Sequence, residues 1–368
     1  MTARVVVLRS KSPAGIEPRL AREVAALARA GYDVHVFLWD RERAFLAEEE
    51  RDGIRIRRYP LRAPEGKPGL VLRFPRWGCS ALRAILRLRP AVVHAVDFDT
   101  VLPAYLGARI VGARMVYEIF DFYADMVTAA LPPVLRRALA RWERRMISRA
   151  DLVIVPDRRR VTQFSGAVPS RLVEVMNVPE DRPVRTAQSH DFTVFYAGMI
   201  ANDRGLLDLV AACESTGAKL LVAGHGPDEA ELLPRIESSP TAMYLGTIPY
   251  EDVLEKTASA HVVPALYDPA VPNNRLAAPN KVYEAMMLAR PLIVSEGIAA
   301  ADVVRDVGCG LVVPYGDRKA LQEALERLQL SPPECEAMGA RGRAAFEAGY
   351  NWKAMEKRLL EAYAALGV

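Results

Sequence analysis

Short apolar runs alternate with longer amphipathic segments along the whole chain. Short runs rich in β-branched residues are typical of buried strands, and apolar positions three or four apart are typical of helices that cover a sheet. This alternation is the pattern of βαβ units and predicts an α/β fold with parallel sheets. The predicted strands of the first half are 5–8, 34–38, 54–57, 91–95, 115–118, 152–155 and 172–176. Those of the second half are 193–197, 219–223, 242–245, 261–265, 291–295 and 310–313.

A polar stretch over residues 179–190, PEDRPVRTAQSH, interrupts the alternation and predicts a linker. A chain of 368 residues also exceeds what one hydrophobic core usually organises. We therefore expect two doubly wound Rossmann-like domains that face a central cleft, one over residues 1–180 and the other over residues 190–350. The remaining residues, 351–368, have the apolar spacing of a helix.

Charge is divided unevenly between the two predicted domains, although the net charge of the chain is only +4. Up to residue 190 there are 33 Lys and Arg against 21 Asp and Glu, a net +12, and after it 16 against 24, a net −8. The excess favours an anionic or membrane-associated partner for the first domain, unless it reflects an arginine-rich composition alone. Segments 70–89 and 136–145 combine apolar and basic residues, and we expect one of them to bind anionic bilayers weakly. For 136–145, an ordinary solvated amphipathic helix is the alternative.

Several classes of protein are disfavoured by the sequence. The four cysteines, Cys79, Cys213, Cys309 and Cys335, show no paired spacing, so neither a disulfide framework nor a zinc site is expected. No uncharged run approaches the ~20 residues of a membrane span, and the arginines lack the interleaved aromatic residues of a nucleic-acid platform. We expect a cytoplasmic protein, with peripheral contact to the inner face of the cell membrane at most, and no nucleic-acid partner.

Ligands of open parallel sheets collect beyond the carboxyl ends of the strands, so the residues that follow each strand are informative. The chain lacks a dinucleotide fingerprint after its first strand, a GxxxxGK[ST] phosphate loop and a GxSxG nucleophile elbow. After the first strand of the second domain, Gly198 permits close backbone approach, and Arg204 is expected at the opening of the next helix, where it could hold phosphate. Gly224, His225 and Gly226 follow the next strand in the same way, although a lone histidine there is also typical of a surface or capping residue.

The segment Asn273–Met287, NNRLAAPNKVYEAMM, carries the strongest chemical signal. Pro279 is expected in the first turn of a helix together with Asn280 and Lys281, where free amides attract phosphate oxygens and the lysine adds a full charge. Glu284 follows three residues later on the same helical face, where its carboxylate could accept two ribose hydroxyls. A surface ion pair between Lys281 and Glu284 is the alternative that the spacing leaves open.

These motifs occur in the order found in a known family. The donor half of the retaining glycosyltransferases of family 4, which have the GT-B fold, resembles this chain in segments 196–198 (YAG), 204–205 (RG), 222–227 (VAGHGP), 245–249 (LGTIP), 279–286 (PNKVYEAM) and 290–294 (RPLIV). Segments 93–103, 116–125 and 176–180 are similar to acceptor-domain segments of the same family. The resemblance implies an enzyme that needs no metal or cofactor and transfers sugar from a UDP- or GDP-type donor to a hydroxyl acceptor. The acceptor class stays open between a glycan, a lipid-linked molecule and a small molecule. The resemblance also implies that the terminal helix, 351–368, packs back on the first domain.

Individual residues match the pattern of that family to different degrees. The resemblance implies that Arg204 contacts the donor diphosphate and that Glu284 binds the ribose. It also places Lys281 within the nucleotide motif. Positive charge from Arg204 and Lys281 would then stabilise the departing diphosphate. Leu276 stands where many members have a glutamate, and Met199 where many have a first diphosphate-binding arginine. These departures indicate a divergent subgroup that carries the PNK form of the motif.

Candidate acceptor-side residues lie at the ends of two neighbouring strands of the first domain. They are His94, Asp97 and Asp99 on one strand, and Glu118 and Asp121 on the next. In the acceptor half that the resemblance implies, a carboxylate could orient the acceptor hydroxyl and take its proton. The sequence does not distinguish Asp97, Asp99 and Asp121 in this role, and helix capping is the alternative for Asp99 and Asp121.

Two further functions stay open at this point. A non-hydrolysing sugar-nucleotide 2-epimerase shares the same fold and would act on the donor without an acceptor. A non-catalytic nucleotide-sugar-binding protein would keep the nucleotide motif without turnover, an alternative that Leu276 and Met199 motivate.

Overall fold

The computed structural model describes residues 2–10, 16–63, 73–126, 132–184, 189–277 and 279–368. The chain divides into two compact units. The first unit comprises Met1–Met176 together with Glu356–Val368, and the second unit comprises Asn177–Met355. Residues 185–188 of the predicted linker and residues 70–72 of the predicted basic segment lie outside the described residues.

An eight-stranded sheet forms the centre of the first unit. Its strands are β1 (Arg4–Arg9), β2 (Asp33–Asp40), β3 (Glu48–Arg51), β4 (Ile54–Pro60), β5 (Val92–Val96), β6 (Arg114–Glu118), β7 (Leu152–Val155) and β8 (Leu172–Glu174). They lie in the order β3-β4-β2-β1-β5-β6-β7-β8, and only the β3–β4 pair is antiparallel. The sequence predicts all of them except β3. That strand consists of three glutamates and an arginine, so it has no apolar run, as is typical of a charged edge strand.

Helices cover this sheet. They are α1 (Pro18–Arg29), α2 (Phe74–Leu88), α3 (Phe98–Val111), α4 (Tyr123–Met126) and α5 (Pro133–Ile147), followed by a 3₁₀ helix over Arg158–Phe164. Buried residues of α2, α3 and α5 form one core with Val6, Leu8 and Val93 of the sheet. Because side chains two apart on a strand share a face, these three helices lie on the same side of the sheet.

The second unit contains two three-stranded parallel sheets. Their strands are β9 (Thr193–Ala197), β10 (Lys219–Ala223), β11 (Ala242–Tyr244), β12 (Val263–Ala265), β13 (Leu292–Ser295) and β14 (Gly310–Val313), in the orders β11-β10-β9 and β12-β13-β14. The two sheets meet where the Phe195 amide donates to the Val262 carbonyl at 3.1 Å. The strand order therefore reverses between β9 and β12. In doubly wound sheets this reversal is the place where ligands bind.

The helices of the second unit place the candidate donor residues at that reversal. They are α6 (Leu206–Thr216), α7 (Glu229–Glu237), α8 (Tyr250–Ser259), α9 (Pro272–Arg275), α10 (Asn280–Met287), α11 (Ala299–Val307), α12 (Arg318–Leu330) and α13 (Pro332–Ala348). Two expected positions shift by a residue or two. Pro279 is the N-cap of α10 with an extended backbone and is not in the first turn. Arg204 ends a short 3₁₀ turn, and α6 begins only at Leu206, because Gly205 between them adopts the left-handed region with φ of 59°.

A final helix, α14 (Trp352–Ala364), begins in the second unit and ends in the first. At its start the Trp352 amide donates to the Pro179 carbonyl at 3.0 Å. At its end a 2.8 Å hydrogen bond joins Tyr363 Oη to His94 Nδ1, and both side chains are buried. Across the described residues, no helix combines the length and the apolar character needed to cross a membrane.

Candidate functional site

Three glycines form the floor of a cavity at the carboxyl ends of β9 and β10. The Gly198 amide donates to the Ala223 carbonyl at 2.9 Å, which draws the two loops together. A Cβ added to Gly224 would lie 1.8 Å from the Gly198 carbonyl oxygen, and one added to Gly226 would lie 2.2 Å from the Ile200 carbonyl oxygen. Any larger residue at these two positions would displace the backbone. The cavity above them measures about 580 Å³, is open to solvent and is lined by Gly198, Met199, Gly224, His225, Gly226 and Pro227.

Lys281, in the first turn of α10, lies against Gly198 of this floor. Its side chain is only 8% exposed, and Nζ lies 3.7 Å from the centre of the Tyr196 ring. A Cβ on Gly198 would lie 3.0 Å from Nζ, so the ammonium group sits against the glycine floor. Nζ makes no hydrogen bond to any part of the chain that the structure describes. A buried cation without a partner is costly, and a bound anion would remove that cost.

Burial, together with the positive charge of Arg204, lowers the pKa of Lys281 to about 7 against an opposing effect of Glu284. Near neutral pH the group is therefore poised between its charged and neutral forms. An anionic ligand beside Nζ would raise the pKa again, because an opposite charge favours the ammonium form.

Arg204 is held beside the same site by a polar network. Its Nη1 lies 2.5 Å from Asp203 Oδ2 and donates to Asn274 Oδ1 at 3.2 Å. Asn274 in turn donates to Asp203 Oδ2 at 2.8 Å, and the Arg204 guanidinium lies 4.3 Å from the centre of the Tyr267 ring. The network fixes the direction of the guanidinium and leaves only 13% of the side chain exposed. An anion bound here meets a cation whose position is already set.

Glu284 lies one turn further along α10 and is 6% exposed. The Tyr250 hydroxyl at the start of α8 donates to Glu284 Oε1 at 3.0 Å. Because Lys281 and Glu284 are both buried, the alternative of a solvent-exposed ion pair between them is wrong. Instead α10 presents a buried cation and a buried carboxylate in consecutive turns.

The remaining predicted donor residues lie at the edge of the site. Asn280, the first residue of α10, is exposed, as is His225, whose Nδ1 lies 3.4 Å from Thr247 Oγ1. Met199 lines the cavity and is 52% exposed. Leu276 ends α9 and is half-buried.

The aromatic and amide side chains that hold the cations were not predicted from the sequence. Tyr196 and Tyr267 follow or end strands at the sheet reversal and lie against Lys281 and Arg204. Asn274 links Arg204 to Asp203. Tyr196 lies in a predicted strand and Tyr267 follows one, but spacing alone cannot show which side chains meet across separate loops.

In the first unit, Asp97 joins the carboxyl ends of β1, β5 and β6. Its backbone has a φ of 64°, unusual for a residue other than glycine, and its Oδ1 accepts from the Phe120 amide at 3.0 Å. Its other oxygen pairs with Arg9, which also forms a two-pronged ion pair with Glu17 at 2.8 and 2.9 Å. Burial alone would lower the pKa of Arg9, but Asp97 and Glu17 hold it above its ordinary value. Asp97 therefore serves to neutralise Arg9 and to join three strands.

Asp99 and Asp121 have different surroundings. Asp99 accepts a hydrogen bond from the Ser10 hydroxyl, and burial together with the nearby charge of Asp97 raises its pKa to about 6. Asp121 accepts from Arg160 Nη2 at 3.0 Å and is about one-third exposed. The surroundings of Asp99 thus favour proton uptake near pH 6.

His94 and Glu118 are buried in the centre of the unit. His94 Nε2 lies 3.2 Å from Glu118 Oε2, and Glu118 accepts from Arg19 Nη2 at 2.6 Å. Burial would raise the pKa of Glu118, but Arg19 and His94 lower it to about 2. Through Tyr363 this network connects β5, β6 and α1 to the end of α14. We assign both residues to the architecture of the unit.

The described residues contain no group of three or more His, Cys, Asp or Glu placed to hold a metal ion. The negative charge of a phosphate bound at the site in the second unit would be balanced by Lys281, Arg204 and backbone amides.

Comparison with known proteins agrees with this division into units. A family model described as "Glycosyl transferase 4-like domain" matches residues 14–179, and one described as "Glycosyl transferases group 1" matches residues 191–330. A GDP-mannose-dependent monoacylated α-(1-6)-phosphatidylinositol monomannoside mannosyltransferase of Corynebacterium glutamicum is 31% identical over 144 residues. That match covers 39% of this chain and 38% of the relative, so it spans well under half of the length of either protein.

Solved structures share the fold over the whole chain. Sucrose-phosphate synthase from Thermosynechococcus elongatus gives a TM-score of 0.82 at 18% identity and covers 99% of both chains. HepE from Anabaena, in a complex with UDP and glucose, gives 0.77 at 14% identity over 99% of this chain and 100% of that one. These likenesses identify the α/β fold with its two Rossmann-like domains as GT-B. The two family models together span most of the chain and show that it belongs to the glycosyltransferases of the family 4 type, with a glycosyl transferase 4-like domain followed by a group 1 domain.

Proposed function

We propose that the protein transfers a glycosyl group from a nucleoside-diphosphate sugar to a hydroxyl acceptor, with retention of configuration. The observation that carries the proposal is the buried Lys281 ammonium, which has no hydrogen-bond partner among the described residues and lies against a glycine floor that opens to solvent. A diphosphate is an anion of the right charge for this place. The nucleotide is of the UDP or GDP type, in keeping with a neighbour whose structure contains UDP and a relative that depends on GDP-mannose.

In the proposed complex, Lys281 and Arg204 hold the diphosphate, and the loops at Gly198 and Gly224 bring backbone close to it. Glu284 accepts hydrogen bonds from the ribose. As the bond from the sugar to phosphate breaks, negative charge grows on the leaving diphosphate, so the two fixed cations stabilise the transition state more than the ground state. We propose that no metal or other cofactor takes part, because these cations supply the charge that a divalent ion would otherwise bring.

On the acceptor side, we propose Asp99 as the residue that orients the acceptor hydroxyl. Asp97 and Asp121 are each paired with an arginine, whereas Asp99 is hydrogen-bonded by Ser10 and has a raised pKa. The new bond forms between the acceptor oxygen and the sugar carbon on the face that the diphosphate leaves. The acceptor proton passes to the departing phosphate oxygen while the Asp99 carboxylate fixes the hydroxyl.

The acceptor is a hydroxyl of a glycan, a lipid-linked molecule or a small molecule, and the protein acts in the cytoplasm. The net charge of +12 up to residue 190 supports an anionic or membrane-borne acceptor for the first unit. Met199 and Leu276 mark the chain as a divergent member that carries the PNK form of the nucleotide motif.

A thermal-shift panel with UDP, GDP, ADP and TDP, followed by their sugar conjugates, tests the proposal. A nucleotide at 100 times its dissociation constant should add about 2.7 kcal/mol to the free energy of unfolding. The stabilising sugar conjugate is then incubated with and without acceptors. An epimer formed from the donor alone would indicate a 2-epimerase, and binding without turnover across acceptors would indicate a binding protein. No stabilisation by any nucleotide would contradict the proposal.

A further inference from the structure

Helices α2, α3 and α5 pack side by side on one face of the first-unit sheet, with α3 in the middle. A Cβ added to Gly107 of α3 would lie 2.7 Å from Ile85 Cδ1 of α2, so these helices touch closely. On the other side, the Phe98 ring of α3 lies 4.8 Å from the Trp142 ring of α5. The outer surfaces of the three helices therefore form one continuous face.

An apolar ridge runs along the middle of this face. Leu102, Leu106 and Ile110 are spaced four residues apart on α3 and are exposed by 50%, 42% and 64%. Residues at this spacing lie in one row on a helix. The neighbouring helices also carry exposed leucines, Leu86 on α2 and Leu135 on α5. A row of large apolar side chains in solvent marks an interaction site when polar residues border it.

The exposed charge of the three helices is entirely basic. Every exposed charged residue of α2, α3 and α5 is an arginine, and these include Arg83, Arg87, Arg109, Arg137, Arg141 and Arg145. The three helices contain only two acidic residues, and neither is exposed. Glu143 is buried and accepts from the Tyr123 and Ala124 amides, and Asp99 is half-buried and bonded to Ser10.

We propose that this face docks on an anionic phospholipid bilayer, with the α3 ridge at the acyl-chain boundary and the arginines on lipid phosphates. Leucine and isoleucine side chains gain from leaving water, and arginines near an anionic surface each add attraction. A second copy of the chain fits the face poorly, because two faces whose exposed charges are all arginine would repel each other. The role of this face in presenting an acceptor rests on the proposed function. Asp99 lies in the first turn of α3, one turn from Leu102, so an acceptor carried by the bilayer would reach the proposed acceptor residue from the edge of this face.

Vesicle sedimentation with the full chain tests the inference. The wild type should bind vesicles of phosphatidylcholine with phosphatidylglycerol and not vesicles of phosphatidylcholine alone, and added salt should weaken binding. The variant Leu106→Glu/Arg141→Glu should bind about tenfold or more weakly, because it places an acid in the ridge and reverses one arginine charge. Its control is Lys319→Glu/Leu330→Glu on α12, two exposed positions with the same types of substitution and the same change of charge, which should bind like the wild type.

Two results would overturn the inference. One is the absence of salt-sensitive binding to anionic vesicles by the wild type, and the other is equal binding by the wild type and the α3–α5 variant. Sedimentation velocity of the same proteins without lipid tests the alternative that a second copy of the chain covers the ridge. A wild-type dimer that is lost in the α3–α5 variant would support that alternative. The nucleotide thermal shift, measured in parallel, should be the same in all three proteins. If the donor proposal is wrong, nucleotide will not shift the unfolding temperature of any of the three proteins. If only the membrane inference is wrong, the thermal shift will be seen and the expected vesicle binding will not.

Discussion

Lys281 Nζ lies 3.7 Å from the centre of the Tyr196 ring, yet no hydrogen bond reaches it in the part of the chain that the structure describes. An aromatic face offers a cation only partial compensation for lost water. The site therefore holds a charge that is poorly satisfied in the free protein and well placed for an anion. We therefore expect replacement of the lysine to raise the stability of the free protein and to weaken the binding of an anion.

Lys281→Met should stabilise the free protein and abolish its response to nucleotide. A methionine keeps most of the buried volume without the cost of a buried amine, so the free energy of unfolding at pH 7 should rise by on the order of 2 kcal/mol. The nucleotide-induced thermal shift of the wild type should disappear. Urea unfolding and thermal shift measure the two effects. An exposed control, Lys319→Met, should change neither, and a destabilised Lys281→Met that still binds nucleotide would contradict the account.

Donor binding should weaken as pH rises above about 7. Folding lowers the pKa of Lys281 from 10.5 to about 7, so between these values the unfolded chain binds more protons, and this residue adds stability as pH rises. A bound diphosphate has the opposite preference, because it requires the ammonium form. Titration calorimetry with a sugar nucleotide should show affinity falling by up to about tenfold per pH unit above 7, with proton uptake on binding. Any donor affinity that remains in Lys281→Met at high donor concentration should lack this slope, and an unchanged slope in that variant would assign the effect to another group.

Gly224→Ala should damage the site and the fold together. Its Cβ would meet the Gly198 carbonyl at 1.8 Å, and the backbone φ is 130°. Displacing two packed loops should cost about 3 kcal/mol or more of unfolding free energy, measured in urea. Gly217→Ala provides the control, since φ is 70° there but nothing lies within 4 Å of the added Cβ, and the expected cost is only about 1 kcal/mol. Equal losses for the two variants would mean that backbone strain alone, and not the contact between the loops, requires glycine at position 224.

Asp99→Asn should lower turnover and leave donor binding unchanged. The amide keeps the shape but loses the negative charge, so a loss of about 10²-fold or more is expected. In the wild type, kcat/KM should fall as pH drops through about 6, because burial and the charge of Asp97 raise the pKa of Asp99 to that value. Asp121→Asn is the matched control, and its turnover should stay near that of the wild type. Full activity of Asp99→Asn would show that Asp99 does not orient the acceptor hydroxyl. Loss of activity only in Asp121→Asn would assign that role to Asp121.

The sequence was sufficient for most of the fold, because strands buried on both faces appear as apolar runs. It failed at β3, whose Glu-Glu-Glu-Arg sequence carries no apolar run and which forms only by pairing with β4. Such an edge strand depends on its neighbour and not on its own pattern.

Prediction of the site was less complete, for a physical reason. The spacing of Lys281 and Glu284 placed both on one face of α10, but spacing cannot show burial, and burial is what makes the lysine unusual. Likewise, the sequence did not distinguish which of Asp97, Asp99 and Asp121 orients the acceptor hydroxyl. Only the partners brought from other strands, such as Arg9 for Asp97 and Ser10 for Asp99, separate them.

We propose that Lys281 stabilises a departing nucleoside diphosphate during glycosyl transfer. The most direct measurement is the rate at which nucleoside diphosphate is released from the stabilising donor in the presence of acceptor, compared between the wild type, Lys281→Met and Lys319→Met. The wild type and Lys319→Met should release nucleoside diphosphate at the same rate, and turnover should be lower by about 10²–10³-fold in Lys281→Met. Equal turnover in all three folded proteins would contradict it.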